Sequence, residues 1–220
     1  MGVMASSTFA ASVYITKSGD WTDSTVWSTG SVPVNSSSDE LKLCSQSTST
    51  SGDGMTVTIS TNVGNYNSGS LKIETVRDTT LKITGGYVGN NKEVVIGKAD
   101  ASSNGTDNGY LVQTGGTLDI TGSGKLEIGY KALSVGTVGG LYTISDGNLM
   151  GTTGKMYIGC AGGTGSVGKI NVVGTNPYIS LGGEMYVAND SSTSNGNTGT
   201  GTSGHILPGT GAMAGINHHR

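Results

Sequence analysis

Lys125-Leu126-Glu127-Ile128-Gly129 is one of four versions of the same short phrase. The others are Glu93-Val94-Val95-Ile96-Gly97, Lys155-Met156-Tyr157-Ile158-Gly159 and Glu184-Met185-Tyr186-Val187-Ala188. Ile96, Ile128, Ile158 and Val187 follow one another at intervals of 32, 30 and 29 residues, and self-similarity at such a period marks a repeat architecture. Within each copy the residues alternate. Val94, Leu126, Met156 and Met185 form one aliphatic column, and Ile96, Ile128, Ile158 and Val187 form a second. The residues between them, Val95, Glu127, Tyr157 and Tyr186, are chemically mixed, as on a solvent face. One such unit cannot bury its apolar side alone, whereas stacked units share a continuous core. The pattern predicts an all-β protein, a right-handed parallel β-solenoid with coils of about 30 residues.

Working outward, each phrase is preceded by another alternating segment that ends at a corner: Gly85, Gly115, Asp146 or Gly174. These segments supply the columns Leu81, Leu111, Tyr142, Ile170 and Ile83, Gln113, Ile144, Val172. Beyond each corner a third short strand places Val88, Leu118, Leu149 and Ile179 inward. Loops of small and polar residues recur at one place in successive coils, at 98–108, 130–139, 160–168 and 189–204. They are expected to project as a stacked row, the position where repeat proteins carry variable contacts.

The composition fits a narrow stack better than a wide core. Only 34% of the 220 residues are apolar and 12% charged, while glycine alone numbers 39, so small residues are available for many tight corners. A formal charge of −3 with scattered lysines and arginines gives no cationic footprint, which argues against nucleic acid as a partner. No apolar run reaches the roughly 18 to 20 residues of a transmembrane helix. Cys44 and Cys160 are the only cysteines; several coils apart, they are not expected to form an internal bridge.

The chain divides into residues 1–11, a signal remnant or disordered leader; 12–44, an N-terminal cap; 45–190, the solenoid repeats; and 191–220, a Gly/Ser/Thr-rich loop and tail. Trp21 and Trp27 lie in the cap segment. Bulky indoles suit the covering of an open first coil, and a sugar-stacking platform is the functional alternative. Met55-Thr56-Val57-Thr58-Ile59 and Ser70-Leu71-Lys72-Ile73 read as an atypical first coil.

Gly19-Asp20-Trp21, Trp27, Gly30-Ser31-Val32-Pro33 and Asp39-Glu40-Leu41-Lys42-Leu43, followed by phrases such as Gly115-Gly116-Thr117-Leu118 and Leu126-Glu127-Ile128-Gly129, resemble bacterial autotransporter-associated β-strand repeat proteins. The likeness spans roughly residues 13 to 190. It implies a parallel β-helix at the cell surface or in an extracellular matrix, and it carries over no catalytic residue. Leu207-Pro208-Gly209-Thr210-Gly211 also matches the sortase pentapeptide, without the apolar segment that follows in a sorting signal.

For chemistry, the repeats offer Asp119, Glu127, Asp146 and Glu184 with spread cations. Hydrolysis of a glycoside needs two carboxylates across a cleft, and no such cluster is evident in the sequence. Glu93, Lys125, Lys155 and Glu184 share an outward column and read as a charge ladder. Gln113 reads as a hydrogen-bonded interior amide. The histidines are confined to the tail, which disfavours a Ser-His-Asp arrangement. No cofactor or resident metal is expected; Asp100, Asp107 and Asp190 in loops are the weak candidates for calcium. Asn35, Asn104 and Asn189 begin glycosylation sequons. The expectation is a secreted, extracellular or cell-surface structural protein that forms a homo-oligomer or polymer and is not an enzyme. The alternatives are a carbohydrate-binding adhesin using Trp21, Trp27, Tyr130, Tyr157 and Tyr186, and a β-helix polysaccharide lyase or hydrolase.

Overall fold

In the computed structural model, which describes residues 12–34, 40–45, 54–66, 70–74, 78–99, 108–131, 138–159, 166–187, 203–208 and 213–214, the repeated phrases stack as parallel strands. Sheet A contains, in spatial order, β1 (Ser12–Ile15), β3 (Glu40–Ser45), β6 (Leu71–Glu74), β9 (Glu93–Ala99), β11 (Lys125–Lys131), β13 (Lys155–Ile158) and β16 (Met185–Val187). Sheet B runs β2 (Gly19–Asp20), β4 (Thr56–Ile59), β7 (Thr80–Ile83), β10 (Asn108–Ile120), β12 (Val138–Gly151), β14 (Ser166–Val172) and β17 (Ser203–Pro208). Past a line of corners, the second halves of β10 and β12 continue into a third face shared with β5 (Gly64–Asn65), β8 (Tyr87–Asn90), β15 (Tyr178–Leu181) and β18 (Met213–Ala214). The only helical element among the described residues is a 3-10 turn at Ser24–Val26. The chain is thus a β-solenoid with the expected spacing.

The register is the one the columns predict. Leu126 faces Val94 and Met156, Ile128 faces Ile96 and Ile158, and Met156 faces Met185. Leu111 lies between Leu81 and Tyr142, and Leu118 between Val88 and Leu149. These inward residues are buried, Met185 partly, and each fully buried one contributes about 1.5–3 kcal/mol by removal from water. Gln113 is an interior amide. Its Nε2 donates to the carbonyls of Gly116 and Asn148 at 3.0 Å each, and its Oε1 accepts from the Tyr142 hydroxyl.

The glycine that closes three of the four phrases, at Gly97, Gly129 and Gly159, has a steric cause. Where sheet A hands over to sheet B, the two backbones touch. Gly129 has φ +73°, and a Cβ on it would lie 2.3 Å from the Val167 carbonyl oxygen; one on Gly140 would lie 2.3 Å from both the Gly129 nitrogen and the Ile96 oxygen. Only hydrogen fits this seam, so the Ile-Gly ending sets how closely the coil folds on itself.

Within residues 12–44, expected as the N-terminal cap, β1 and β3 are already rungs of sheet A, paired in parallel. β1 keeps the alternation, with Val13 and Ile15 inward, and its pairing with β3 shifts register between Tyr14 and Ile15. Covering is done by the segment between them. Ile15 and Trp27 form an antiparallel bridge, the Ser28 amide donates to the Tyr14 carbonyl, the Tyr14 amide donates to Ser28 Oγ, and the Thr16 amide donates to the Val26 carbonyl. The outer edge of β1 is therefore occupied. At the other end the tail adds β17 beside β14 and β18 beside β15. Leu207 and Pro208 of the sortase-like pentapeptide are rungs opposite Asn171 and Val172.

Candidate functional site

Trp21 and Trp27 are buried, at 1% and 2% exposure. Their rings meet edge to face at 4.9 Å, Trp21 meets Tyr66 the same way at 6.3 Å, and Trp27 Nε1 donates to the Trp21 carbonyl at 2.9 Å. The stacking-platform alternative for the two tryptophans is thereby corrected: neither presents a ring face to solvent, because both seal the first coil. The backbone of Tyr130 lies in β11, and its side chain lies outside the described residues. So do the calcium candidates Asp100, Asp107 and Asp190, Cys160, the sequon asparagines and the centres of the periodic loops. Among the described residues, no three His, Cys, Asp or Glu gather as metal ligands, and no helix is long and apolar enough to cross a membrane.

The charged and aromatic groups converge on the outer face of sheet A, in two columns. One reads Ser12, Glu40, Ser70, Glu93, Lys125, Lys155, Glu184; the other reads Tyr14, Lys42, Lys72, Val95, Glu127, Tyr157, Tyr186. Lys125 Nζ is 3.1 Å from Glu93 Oε1, and Lys155 Nζ is 2.7 Å from Glu184 Oε2, as the ladder predicts. Near the N-terminal end Glu40 pairs with Lys72 and, at 3.4 Å, with Lys42.

The second column is not the uniform solvent face expected. Val95 is 1% exposed, Glu127 6% and Lys72 8%. Side chains in a parallel column stand on one another at the strand spacing of about 4.8 Å, so those in mid-column are screened from both sides. Glu127 therefore sits diagonally across from Glu93, and Lys125 Nζ reaches its Oε1 at 2.7 Å. Burial pushes the Glu127 carboxyl up to about 7, with hydrogen bonding to Glu93 acting in the same direction against the pull of Lys125. For Glu93 burial also acts upward, but hydrogen bonds from Glu127 and Lys125 outweigh it and hold the group below the usual carboxylate value. Burial disfavours the Lys125 ammonium, and the two carboxyls overcome that and raise its pKa. Sequence reasoning missed this carboxyl pair because it compared residues within a column; the diagonal neighbour, two residues along on the adjacent strand, is the signal that finds it.

At the C-terminal end of the same face, Tyr157 and Tyr186 stack at 4.9 Å with an 8° angle between planes. The Tyr186 hydroxyl donates to Glu184 at 2.5 Å, and Lys155 Nζ lies 6.0 Å from the Tyr186 ring centre. The ion pair, hydrogen bond and ring stack thus fix one another across two rungs. Each ring covers one face of the other.

On the third face Tyr87 Oη lies 2.9 Å from both Asn65 Oδ1 and Asp119 Oδ2. Burial, then the Asp119 carboxylate, pushes the phenol up to about 12, so this is a fixed hydrogen-bond node. Tyr178 and Met150 are exposed there.

Comparison of the chain with protein-family models, with curated proteins and with solved structures returned no match.

Proposed function

We propose that the chain is a secreted structural subunit that assembles head to tail into an extracellular fibre, sheath or surface layer. The observation that carries this reading is the difference between the two ends. At the N-terminal end the β1 edge is consumed by residues 26–28, and the indoles close the core. At the C-terminal end β16 has, among the described residues, a neighbour on one side only. Unpaired edges invite association, and contact between two unlike surfaces propagates unless the rotation closes it. Because β1 has no free edge, subunits meet by packing of the last rung against the cap rather than by a continuous hydrogen-bonded ladder.

The resemblance to autotransporter-associated repeats supports the extracellular setting. No catalytic role accompanies this reading. Glu93 and Glu127 are both held by Lys125, whereas glycoside hydrolysis uses two carboxylates facing each other across a cleft. The carbohydrate-binding alternative keeps Tyr130, Tyr157 and Tyr186; the mutual stacking of the last two withdraws ring faces that a sugar would use. The test is sedimentation of the full chain over a wide concentration range, with Tyr186→Lys as the variant carrying a charge at the open edge. Association that grows with concentration and is weakened by Tyr186→Lys is expected. Monodisperse monomers, combined with glycan binding lost on Tyr157→Ala, would replace this reading with the adhesin.

A further inference from the structure

The middle of sheet A holds two carboxyl groups against one ammonium, in a place where the excess charge has little solvent. Lys125 Nζ is 2.7 Å from Glu127 Oε1 and 3.1 Å from Glu93 Oε1. Among the described residues, none aims a hydrogen-bond donor at the second oxygen of Glu127, Oε2, which is buried in a residue 6% exposed. An ionised carboxylate so placed is strained by desolvation and by an unmet acceptor. A proton on Oε2 removes both penalties, because it neutralises the group and makes it a donor to the neighbouring carboxylate of Glu93. The cluster then carries one negative charge on Glu93 and one positive charge on Lys125.

We infer that in the folded chain Glu127 is protonated and shares its proton with Glu93, and that release of this proton as the pH rises toward neutral is a pH-sensitive element built into the outer face of the solenoid. The charged and titratable groups facing the pair, among the described residues, are Lys125 on the same strand, Lys155 and Tyr157 on β13, and Lys72 on β6, which acts on Glu93. Lys125 bonds both carboxyls.

The direction follows from linkage. The folded chain holds the Glu127 proton more tightly than the unfolded chain, whose value is the usual 4.5, and releases it at about 7. The stabilisation is complete below the unfolded value and is lost as the pH rises through the folded one, the folding equilibrium constant falling by about tenfold per pH unit in between. Glu93, held low, acts with the opposite sign and on the acid side of this window.

Two measurements on the full chain test the inference: the thermal midpoint from about pH 5 to about pH 8.5, and the carboxyl carbon shifts of glutamate-labelled protein. The expected result is a midpoint that falls with pH in the wild type and stays level in Glu127→Gln, which keeps a donor in place of the proton. One glutamate should titrate near neutrality, and in Glu93→Gln its titration should move down toward the ordinary range. A wild-type midpoint that does not fall, an equal fall in Glu127→Gln, or glutamates that all titrate in the ordinary range would overturn it. If Glu127→Gln fails to fold, the carbon titration of the wild type decides alone.

Discussion

Replacing Gly129 by alanine tests the seam between the sheets more sharply than any core truncation, because a second glycine provides an internal control. Gly122 also has positive φ, +54°, yet the nearest atom to an added Cβ is 3.9 Å away. Gly122→Ala therefore meets only the dihedral cost of roughly 1–2 kcal/mol for an L-residue in the left-handed region. That is offset by about 0.4–1 kcal/mol from the stiffer unfolded chain, leaving about 1 kcal/mol of destabilisation. Gly129, at φ +73°, carries the same dihedral cost, but its Cβ would stand 2.3 Å from the Val167 oxygen and 2.7 Å from the Gly168 nitrogen. This is about 1 Å inside ordinary contact. The obstacle is backbone, which cannot rotate aside, so β14 must shift against β11. Overpacking of this kind costs typically about 1–3 kcal/mol, which places Gly129→Ala at about 2–4 kcal/mol. Equilibrium denaturation of both variants beside the wild type reads the difference. If the two are equally stable to within about 0.5 kcal/mol, the close approach of the two backbones is not what places glycine at the end of the Gly97, Gly129 and Gly159 phrases.

Further outcomes follow from the buried polar groups and the cap. Gln113→Leu leaves the Tyr142 hydroxyl and the carbonyls of Gly116 and Asn148 without their interior partner, and should cost about 1–3 kcal/mol for each group left unmet. Adding Tyr142→Phe should recover part of that loss, read as a coupling in a double-mutant cycle. Trp27→Ala should destabilise by about 3–5 kcal/mol, and acrylamide should quench the wild-type indole fluorescence weakly; strong quenching would mean that the tryptophans are not inside the cap. The thermal midpoint of the wild type should fall as the pH rises from 4.5 to about 7, the interval over which folding holds the Glu127 proton.

Much of the fold is visible in the sequence because the rungs repeat a chemical demand: an aliphatic residue as at Leu126 and Ile128, then, in three of the four phrases, a residue without Cβ as at Gly129. The columns through Leu111, Gln113 and Leu118, and the ladder from Lys125 to Glu93 and from Lys155 to Glu184, follow from counting alone. What escapes counting are features set by neighbours in three dimensions. The pairing of β1 as a rung on β3 passes through a register shift, and β18 is only two residues long. The burial of Val95 and the meeting of Glu127 with Glu93 depend on the diagonal between strands and on screening within a column. Trp21 and Trp27 could be read equally as lid or platform until the antiparallel bridge at Ile15 fixed them inside.

The central proposal, end-to-end assembly of a stacked coil, is tested most directly by electron microscopy and fibre diffraction of the purified full chain. Head-to-tail stacking keeps the strands perpendicular to the filament axis, so it predicts filaments with an axial reflection near 4.8 Å. The subunit repeat should not be shorter than the seven rungs of sheet A, about 34 Å at that spacing. Particles that remain single at every concentration and ionic strength, or filaments without the axial strand spacing, would contradict it.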